Sequence, residues 1–393
     1  MQTRFAHRSL HEAIKEFYGF FSEHIEDMAR QKTEQLVEEA LKAEIDLMVG
    51  AERYERTEKR KNYRNGHYLR ELISHHGLLK VRVPRLRAGK VSFQTLARYR
   101  RYSGEVAELI RGLFFAGVST RKMGVVLEYL LGTRVSAQTV SRITQQLDRE
   151  VKIFRSRPLG DDYRYLFLDG IVQSEQVVGS TMRGPLLVAY GIRYDGTREI
   201  IAYMKAKSES EAAWEGFLED LFRRGLIGDR LKLIVADGSS GLWSALERVY
   251  PQVAKQLCWA HKMRNVKDKM PKKAWDTCLE EAKQIYLAPS RKKATEIYFA
   301  WTRKYRRKYS RAVRCLEKDI DRLLVHFAMP PAHRITVRTT NPIERLFREV
   351  RRRTRPIGSF TNTKSINRIV YGIFWTINRM WEDKPRIQFT QNY

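Results

Sequence analysis

The chain has 393 residues, 43% of them hydrophobic and 11% aromatic, which is enough for the cores of two or three domains and too apolar for a disordered polypeptide. Its 74 Lys and Arg against 45 Asp and Glu give a formal charge of +29 and an isoelectric point near 10.1, so a polyanion, nucleic acid first, is the expected partner. Three cysteines are too few for a disulfide framework, no apolar run approaches the roughly 18 residues of a membrane span, and Met1-Gln2-Thr3-Arg4-Phe5 opens no signal-peptide core; a cytoplasmic protein without a membrane partner is predicted.

Residues 9 to 50 read as helix in two pieces, the second running from Thr33 as cap to Gly50 as terminator, with Leu36, Val37, Ala40, Leu41, Ile45 and Met48 as its apolar stripe. Residues 1–58 are taken as N-terminal helices, packed within the protein or against a second copy. Between Tyr63 and Arg98 the pattern changes to short β-like alternation, as in Leu79-Lys80-Val81-Arg82-Val83, stopped by Pro84; 59–102 are a small basic β element.

From 103 to 157 three helices are predicted: Glu105 to Ala116, Ser119 to Leu131 and Ser136 to Ile153, separated by Gly117 and Gly132 and capped by Ser119 and Ser136. The layout is that of a helix-turn-helix, or of an ordinary bundle. If it meets DNA, the third helix offers Gln138, Thr139, Ser141, Arg142 and Gln145.

After Arg157-Pro158, Tyr165-Leu166-Phe167-Leu168 is an apolar run too short for a helix that ends at Asp169-Gly170, and Leu231 to Ala236 ends likewise at Asp237-Gly238. Asp-Gly is also a turn dipeptide. Asp195-Gly196, between Leu186 to Arg193 and Glu199 to Lys205, reads as a hairpin turn and nothing more. Asp237 differs, because Ser239 begins a helical stretch after it, and carboxylates at the ends of core strands are where α/β sheets keep their chemistry. Cys258 and His261 form a Cys-x-x-His pair: half a structural zinc site, a packed thiol and histidine, or groups placed behind the acids to hold them.

Residues 272–335 are helical, basic and rich in Trp and Tyr, an insertion in which Trp301 is either a core residue or a stacking platform. Next comes Thr340-Asn341-Pro342-Ile343-Glu344-Arg345, which opens like a helix with Asn341 as cap and Pro342 at the first position. Ile343, Leu346, Phe347 and Val350 share one face; Glu344, Arg348 and Arg351 share another, followed by Arg352. Alone, Glu344 fits the last position of a capping box begun by Asn341. Three basic stretches, Lys59 to Arg101, Arg291 to Lys318 and Arg338 to Arg386, carry aromatics among their charges, as nucleic-acid surfaces do.

Only a fold unites Asp169, Asp237 and Glu344. Two carboxylates about 4 Å apart repel by roughly 4 kcal/mol at an effective dielectric near 20, so such a trio needs a cation, and an all-oxygen set suits Mg²⁺ or Mn²⁺. Two such ions promote in-line attack on a phosphodiester.

Together, several blocks resemble the bacterial Mutator-type insertion-sequence transposases. They are Gly77-Leu78, Val83-Pro84-Arg85-Leu86-Arg87, Gly117-Val118-Ser119-Thr120-Arg121, Asp169-Gly170, Asp237-Gly238 with Gly241-Leu242, Gln256-x-Cys258-x-x-His261-x-x-x-Asn265, Thr340 to Arg345, Arg351 to Thr354 and Gly358-Ser359-Phe360. Leu257 departs from the arginine usual in the family before that cysteine. The resemblance implies an α/β fold whose RNase H-like mixed-sheet core, 158–271 and 336–393, is interrupted by the all-helical insertion. It implies Asp169, Asp237 and Glu344 in the places of the family's acidic triad, two Mg²⁺ or Mn²⁺ ions, and terminal-repeat and target DNA as partners of at least a dimer in the bacterial nucleoid. Arg348, Arg351 and Arg352 are then expected at DNA phosphates, and Gln138, Ser141 and Arg142 at the repeat. The alternatives are an RNase H-like nuclease or resolvase without strand transfer, and a DNA-binding regulator without chemistry.

Overall fold

The computed structural model describes residues 10–98, 102–177, 180–355, 360 and 362–390. The chain forms two compact units, Met1–Phe114 with Val118–Gln145, and Phe115–Gly117 with Gln146–Tyr393. No helix among the described residues is long and apolar enough to cross a membrane.

The first unit begins with α1 (Leu10–Val49), one continuous helix where two pieces are expected. Thr33 does not cap a second piece. Its hydroxyl donates to the Ala29 carbonyl one turn back, a bond that leaves the helix intact. Gly50, at φ +73°, ends the helix as its sequence suggests. Val37, Leu41, Ile45 and Val49 are buried, whereas Leu36 is exposed. This face packs on an antiparallel hairpin, β1 (Arg64–Ser74) and β2 (Gly77–Leu86). Pro84 does not stop β2: it lies on the strand, and the free edge amides of Lys80 and Arg82 donate to Glu34 and Glu38 of α1, both at 2.7 Å. An edge strand tolerates proline, and two glutamates one turn apart cover the amides that remain.

After α2 (Gln94–Arg98) come α3 (Gly104–Phe115), α4 (Thr120–Leu131) and α5 (Ala137–Gln145). Ser119 caps α4 by accepting from the Lys122 amide, Gly132 closes it at φ +61°, and the Ser136 hydroxyl accepts from the Thr139 amide. The third expected helix is two: α6 (Leu147–Ser156) follows a break at Gln146 and belongs to the second unit. Val140, Ile143, Leu147 and Val151 keep helical spacing across the break, so periodicity gives no sign of it.

The second unit holds a five-stranded mixed sheet in the order β5-β4-β3-β6-β7. β3 (Tyr163–Val177), β4 (Ser180–Arg193) and β5 (Arg198–Lys205) are consecutive and antiparallel; β6 (Leu233–Ala236) and β7 (Lys255–Leu257) add in parallel. The β4–β5 turn is the expected Asp195-Gly196 hairpin, with Asp195 Oδ1 accepting from the Thr197 amide and Gly196 at φ +79°. Parallel pairing requires crossovers, supplied by α7 (Glu211–Arg223) before β6 and α8 (Ser240–Val249) before β7. Trp214, Phe217, Leu218 and Leu221 of α7 and Leu242, Ala245 and Leu246 of α8 pack with Leu166, Leu168, Leu187 and Ala189 of the sheet.

Gly225, just past α7, sits at φ +114°, and a Cβ there would lie 2.2 Å from the Leu159 carbonyl oxygen. Gly225→Ala should therefore cost about 3 kcal/mol, from left-handed strain plus overpacking against rigid backbone, read as a lower denaturant midpoint at unchanged slope.

After α9 (Trp259–Lys267) the chain is wholly helical through α10 (Trp275–Leu287), α11 (Arg291–Tyr305), α12 (Ser310–Glu317), α13 (Ile320–Leu323) and α14 (Pro331–Val337). α10 to α13 share a core with α9, Leu257 of β7 and Trp243 of α8, in which Trp301 is 2% exposed and its indole donates to the Cys278 carbonyl at 2.9 Å. Trp301 is thus a core tryptophan and no stacking platform. Finally α15 (Asn341–Thr354), α16 (Thr363–Trp381) and α17 (Ile387–Thr390) return to the sheet. Phe374 of α16 meets Tyr203 of β5 edge-on at 5.5 Å, and the Asn378 side chain bonds both the amide and the carbonyl of Ile200.

Candidate active site

β3 and β6 pair in parallel with Leu168 opposite Ala236, so the next residues, Asp169 and Asp237, leave adjacent strands side by side. Neighbouring strands lie about 4.8 Å apart, which sets the two carboxylates against each other. Asp237 follows the end of its strand, as expected. Asp169 does not: β3 runs on to Val177, because β4 stays paired with it beyond the point where β6 stops. The acid is still placed at a strand end in effect, at the limit of the β3–β6 ladder.

Each aspartate is locked locally. Gly170 donates its amide to Asp169 Oδ1 at 2.8 Å, Ser239 donates to Asp237 Oδ1 at 3.1 Å, and the Trp243 indole donates to the Asp237 carbonyl at 2.6 Å. Gly241 has a packing reason: a Cβ there would lie 2.7 Å from the Glu211 amide nitrogen, so glycine lets the first turn of α8 press against the start of α7.

Glu344 comes from α15, whose apolar face, Ile343, Leu346, Phe347 and Val350, is buried as predicted. The cap is not Asn341. Thr340 is the N-cap, Asn341 is the first helical residue, and Glu344 lies one position beyond the last residue of a capping box. Its carboxylate instead accepts from Arg264 at 3.2 Å and stands 3.6 Å from His261 Nε2.

Thr340, fully buried, ties these parts together. Its amide donates to Cys258 Sγ at 3.2 Å, its hydroxyl lies 3.4 Å from both Cys258 Sγ and His261 Nδ1, and its carbonyl accepts from the Glu344 amide. Cys258 in turn gives its own amide to Ala236, the residue before Asp237. Burial pushes the Cys258 thiol up, and its sulfur is engaged by the amide and hydroxyl of Thr340. Cys258 and His261 therefore brace the helix that carries Glu344. Leu257, the departure from the family pattern, is a buried residue of β7.

Asp169 is 5% exposed, and its Oδ2 is buried with no hydrogen-bond partner. Burial, then the charge on Asp237, push its carboxyl up to about 7, with Glu344 adding to the rise and the Gly170 amide and Thr340 hydroxyl opposing it. Burial likewise raises Asp237, against the Ser239 amide and His261. Burial lowers His261, with Asp237 and Glu344 pulling the other way. In so basic a chain, no Lys or Arg among the described residues pairs with Asp169 or Asp237. An unmatched buried oxygen and carboxylates that repel suit a hard divalent cation with oxygen ligands. As the side chains stand, no three His, Cys, Asp or Glu groups among the described residues converge at ligand spacing, Glu344 being drawn toward Arg264.

Arg348, Arg351 and Arg352 are exposed on α15; Arg352 pairs with Glu349 at 2.8 Å. Gln138 and Arg142 are exposed and Ser141 half-buried on α5. Gly358 and Ser359 lie outside the described residues. Sequence reasoning missed Thr340 and Arg264 as parts of the site; no periodicity marks either, and they lie within recognised blocks, Arg264 at an unspecified position of its block.

Comparison with known proteins identifies the family. The family model described as "Transposase, Mutator family" matches residues 6–384. The chain is 36% identical over 360 residues to the transposase for insertion sequence element ISRM5 of Rhizobium meliloti (strain 1021), covering 92% of this chain and 90% of that one. It is 35% identical over 349 residues to the transposase for IS406 of Burkholderia multivorans, covering 88% and 89%. It is also 34% identical over 342 residues to the transposase for IS256 in transposon Tn4001 of Staphylococcus aureus, covering 85% of each. The chain belongs to the Mutator family of transposases.

Proposed function

We propose that the protein is an insertion-sequence transposase that cuts DNA at the ends of its element and joins them to target DNA, using Asp169, Asp237 and Glu344. The observation that carries this reading is the placement of Asp169 and Asp237 side by side, each one residue past the last pair of the β3–β6 ladder, with Asp169 buried and matched by no Lys or Arg among the described residues. An RNase H-like core fits the same sheet: three antiparallel strands, then two parallel ones reached through helices, with an acid on the first strand and another after the fourth.

Asp169, Asp237 and Glu344 would hold two Mg²⁺ or Mn²⁺ ions. Bound there, the ions supply activation of the attacking oxygen, from water in cutting or a 3′-hydroxyl in joining, and stabilisation of the leaving oxygen. The chain's own work is positioning. Gly170 and Ser239 orient the two aspartates, Thr340 with Cys258 fixes the start of α15, and Arg264 holds the Glu344 carboxylate in the metal-free protein, from which it would move to join the ions. Arg348, Arg351 and Arg352 lie further along the same helix, where they would meet DNA phosphates. On α5, Gln138, Ser141 and Arg142 would read the terminal repeat. Joining two ends calls for at least a dimer, acting in the cytoplasm on nucleoid DNA.

The test incubates the protein with its element's end DNA, a target plasmid and Mg²⁺. Joined molecules that vanish in chelator are expected. Nicked but never joined DNA would make the protein a nuclease or resolvase, and bound but intact DNA a regulator.

Thr340→Val keeps the volume but removes the hydroxyl that faces Asp169, Cys258 and His261. Joining should fall about 10- to 100-fold, as when the support of a ligand is lost, while Thr340→Ser retains most of it. Product quantitation beside a melting curve separates this loss from unfolding.

A further inference from the structure

Glu209 stands between β5 and α7 and takes no part in the acidic triad. Two independent contacts place it at the triad all the same. Its Oε1 lies 3.4 Å from where a Cβ on Gly170 would be, so the carboxylate rests against the residue that follows Asp169. Its loop is also pressed onto the far side of the site: a Cβ on Gly241 would lie 3.1 Å from the Ser210 carbonyl carbon, and Gly241 is in the first turn of the helix that Asp237 introduces. The Glu209 carboxylate thus lies beside the strand that carries Asp169, and the residues that follow it, Ser210 and Glu211, pack on the helix that Asp237 introduces.

The charge there is unbalanced. No Lys, Arg or His among the described residues pairs with Glu209, and none pairs with Asp169; Arg264 pairs with Glu344, and His261 acts on Asp237 and Glu344. Partial desolvation, then the charge on Asp237, push the Glu209 carboxyl up. Asp169 is buried with only the Gly170 amide and the Thr340 hydroxyl to offset its charge, and no positive group stands beside it. Glu209 is exposed and the Trp214 indole offsets part of its rise, yet a carboxylate this close to Asp169 and Asp237 is favoured further by a cation that all three can share.

We propose that Glu209 is a fourth carboxylate of the cation site, holding a divalent ion together with Asp169 and Asp237. The proposal rests on the reading of those two aspartates as cation ligands. Glu209 differs from them in being exposed, so replacing it leaves the fold untouched while removing one negative oxygen donor.

The experiment titrates full-length protein with Mn²⁺, following free Mn²⁺ by electron paramagnetic resonance and the protein by its melting temperature. Glu209→Gln should melt like the wild type without metal yet need about 10- to 100-fold more Mn²⁺ for half-saturation. Glu211→Gln, two residues on and paired with Arg248 at 2.7 Å, serves as the control and should titrate like the wild type. A Glu209→Gln titration identical to the wild type overturns the proposal and leaves the aspartates' role standing. Absence of Mn²⁺ binding by the wild type itself, matched by Asp169→Asn, overturns both at once.

Discussion

Replacing Asp169 or Asp237 by Asn, or Glu344 by Gln, should lower strand cleavage about a thousandfold or more and leave DNA binding in place. Charge stabilisation by a bound ion contributes several kcal/mol to a phosphodiester transition state, and each 1.4 kcal/mol or so is tenfold in rate. Both aspartates are anchored through backbone amides, Gly170 to Asp169 and Ser239 to Asp237, which an Asn oxygen still accepts; the change removes charge and keeps geometry. Because the acids act as one unit, the double variant Asp169→Asn, Asp237→Asn should lose little more than either single one. Gel-based cleavage of labelled end DNA, with a mobility-shift assay on the same preparations, separates chemistry from binding. Near-wild-type cleavage by Asp169→Asn would remove the triad from the account.

The same residue should weaken the metal-free protein. The folded Asp169 carboxyl is pushed up to about 7 by burial and by Asp237, whereas in the unfolded chain it titrates near 3.9. The folded state therefore keeps its proton to higher pH than the unfolded one does. The contribution to stability is full below about pH 4 and is lost as pH rises through about 7, reaching about 4 kcal/mol at most. Asn stays neutral throughout, so in chelator the stability of Asp169→Asn relative to the wild type should grow by about 2 to 3 kcal/mol from pH 5 to pH 8. Adding Mn²⁺ at pH 8 should return stability to the wild type alone. Urea unfolding at the two pH values reads both effects; a gap that does not change with pH would mean that Asp169 is ionised without cost.

What was legible in the sequence was whatever local chemistry decides. The Asp195-Gly196 hairpin, the Gly50 and Gly132 terminators and the buried face of α15 follow from turn preference and helical spacing, and tertiary contacts reinforce each. The structure departs from the sequence reading where a residue type serves two local roles or where a distant partner overrules the local signal. Thr33 resembles a cap, yet a hydroxyl bonded one turn back lets α1 continue. Asp169-Gly170 resembles a strand end, yet β4 carries β3 on for eight residues past Asp169. The break at Gln146 falls inside an unbroken apolar stripe, since α5 and α6 belong to different compact units.

The site divides in the same way. Three acids separated by long stretches of chain were singled out by position and by family pattern, and the parallel register of β3 with β6 brings two of them together. The groups that hold them were not legible. Thr340 looks like a capping threonine, but its hydroxyl is turned inward to Cys258 and His261 and caps nothing. Arg264 and Glu209 are ordinary charged residues until the fold places one on Glu344 and the other against Gly170.

The central claim is that Asp169, Asp237 and Glu344 share a divalent cation, and anomalous scattering from crystals grown with Mn²⁺ tests it most directly. Manganese is expected between Asp169 and Asp237, with Glu344 released from Arg264 to join them. Manganese bound instead by Cys258 and His261, or absent from the aspartates at millimolar concentration, would contradict the account.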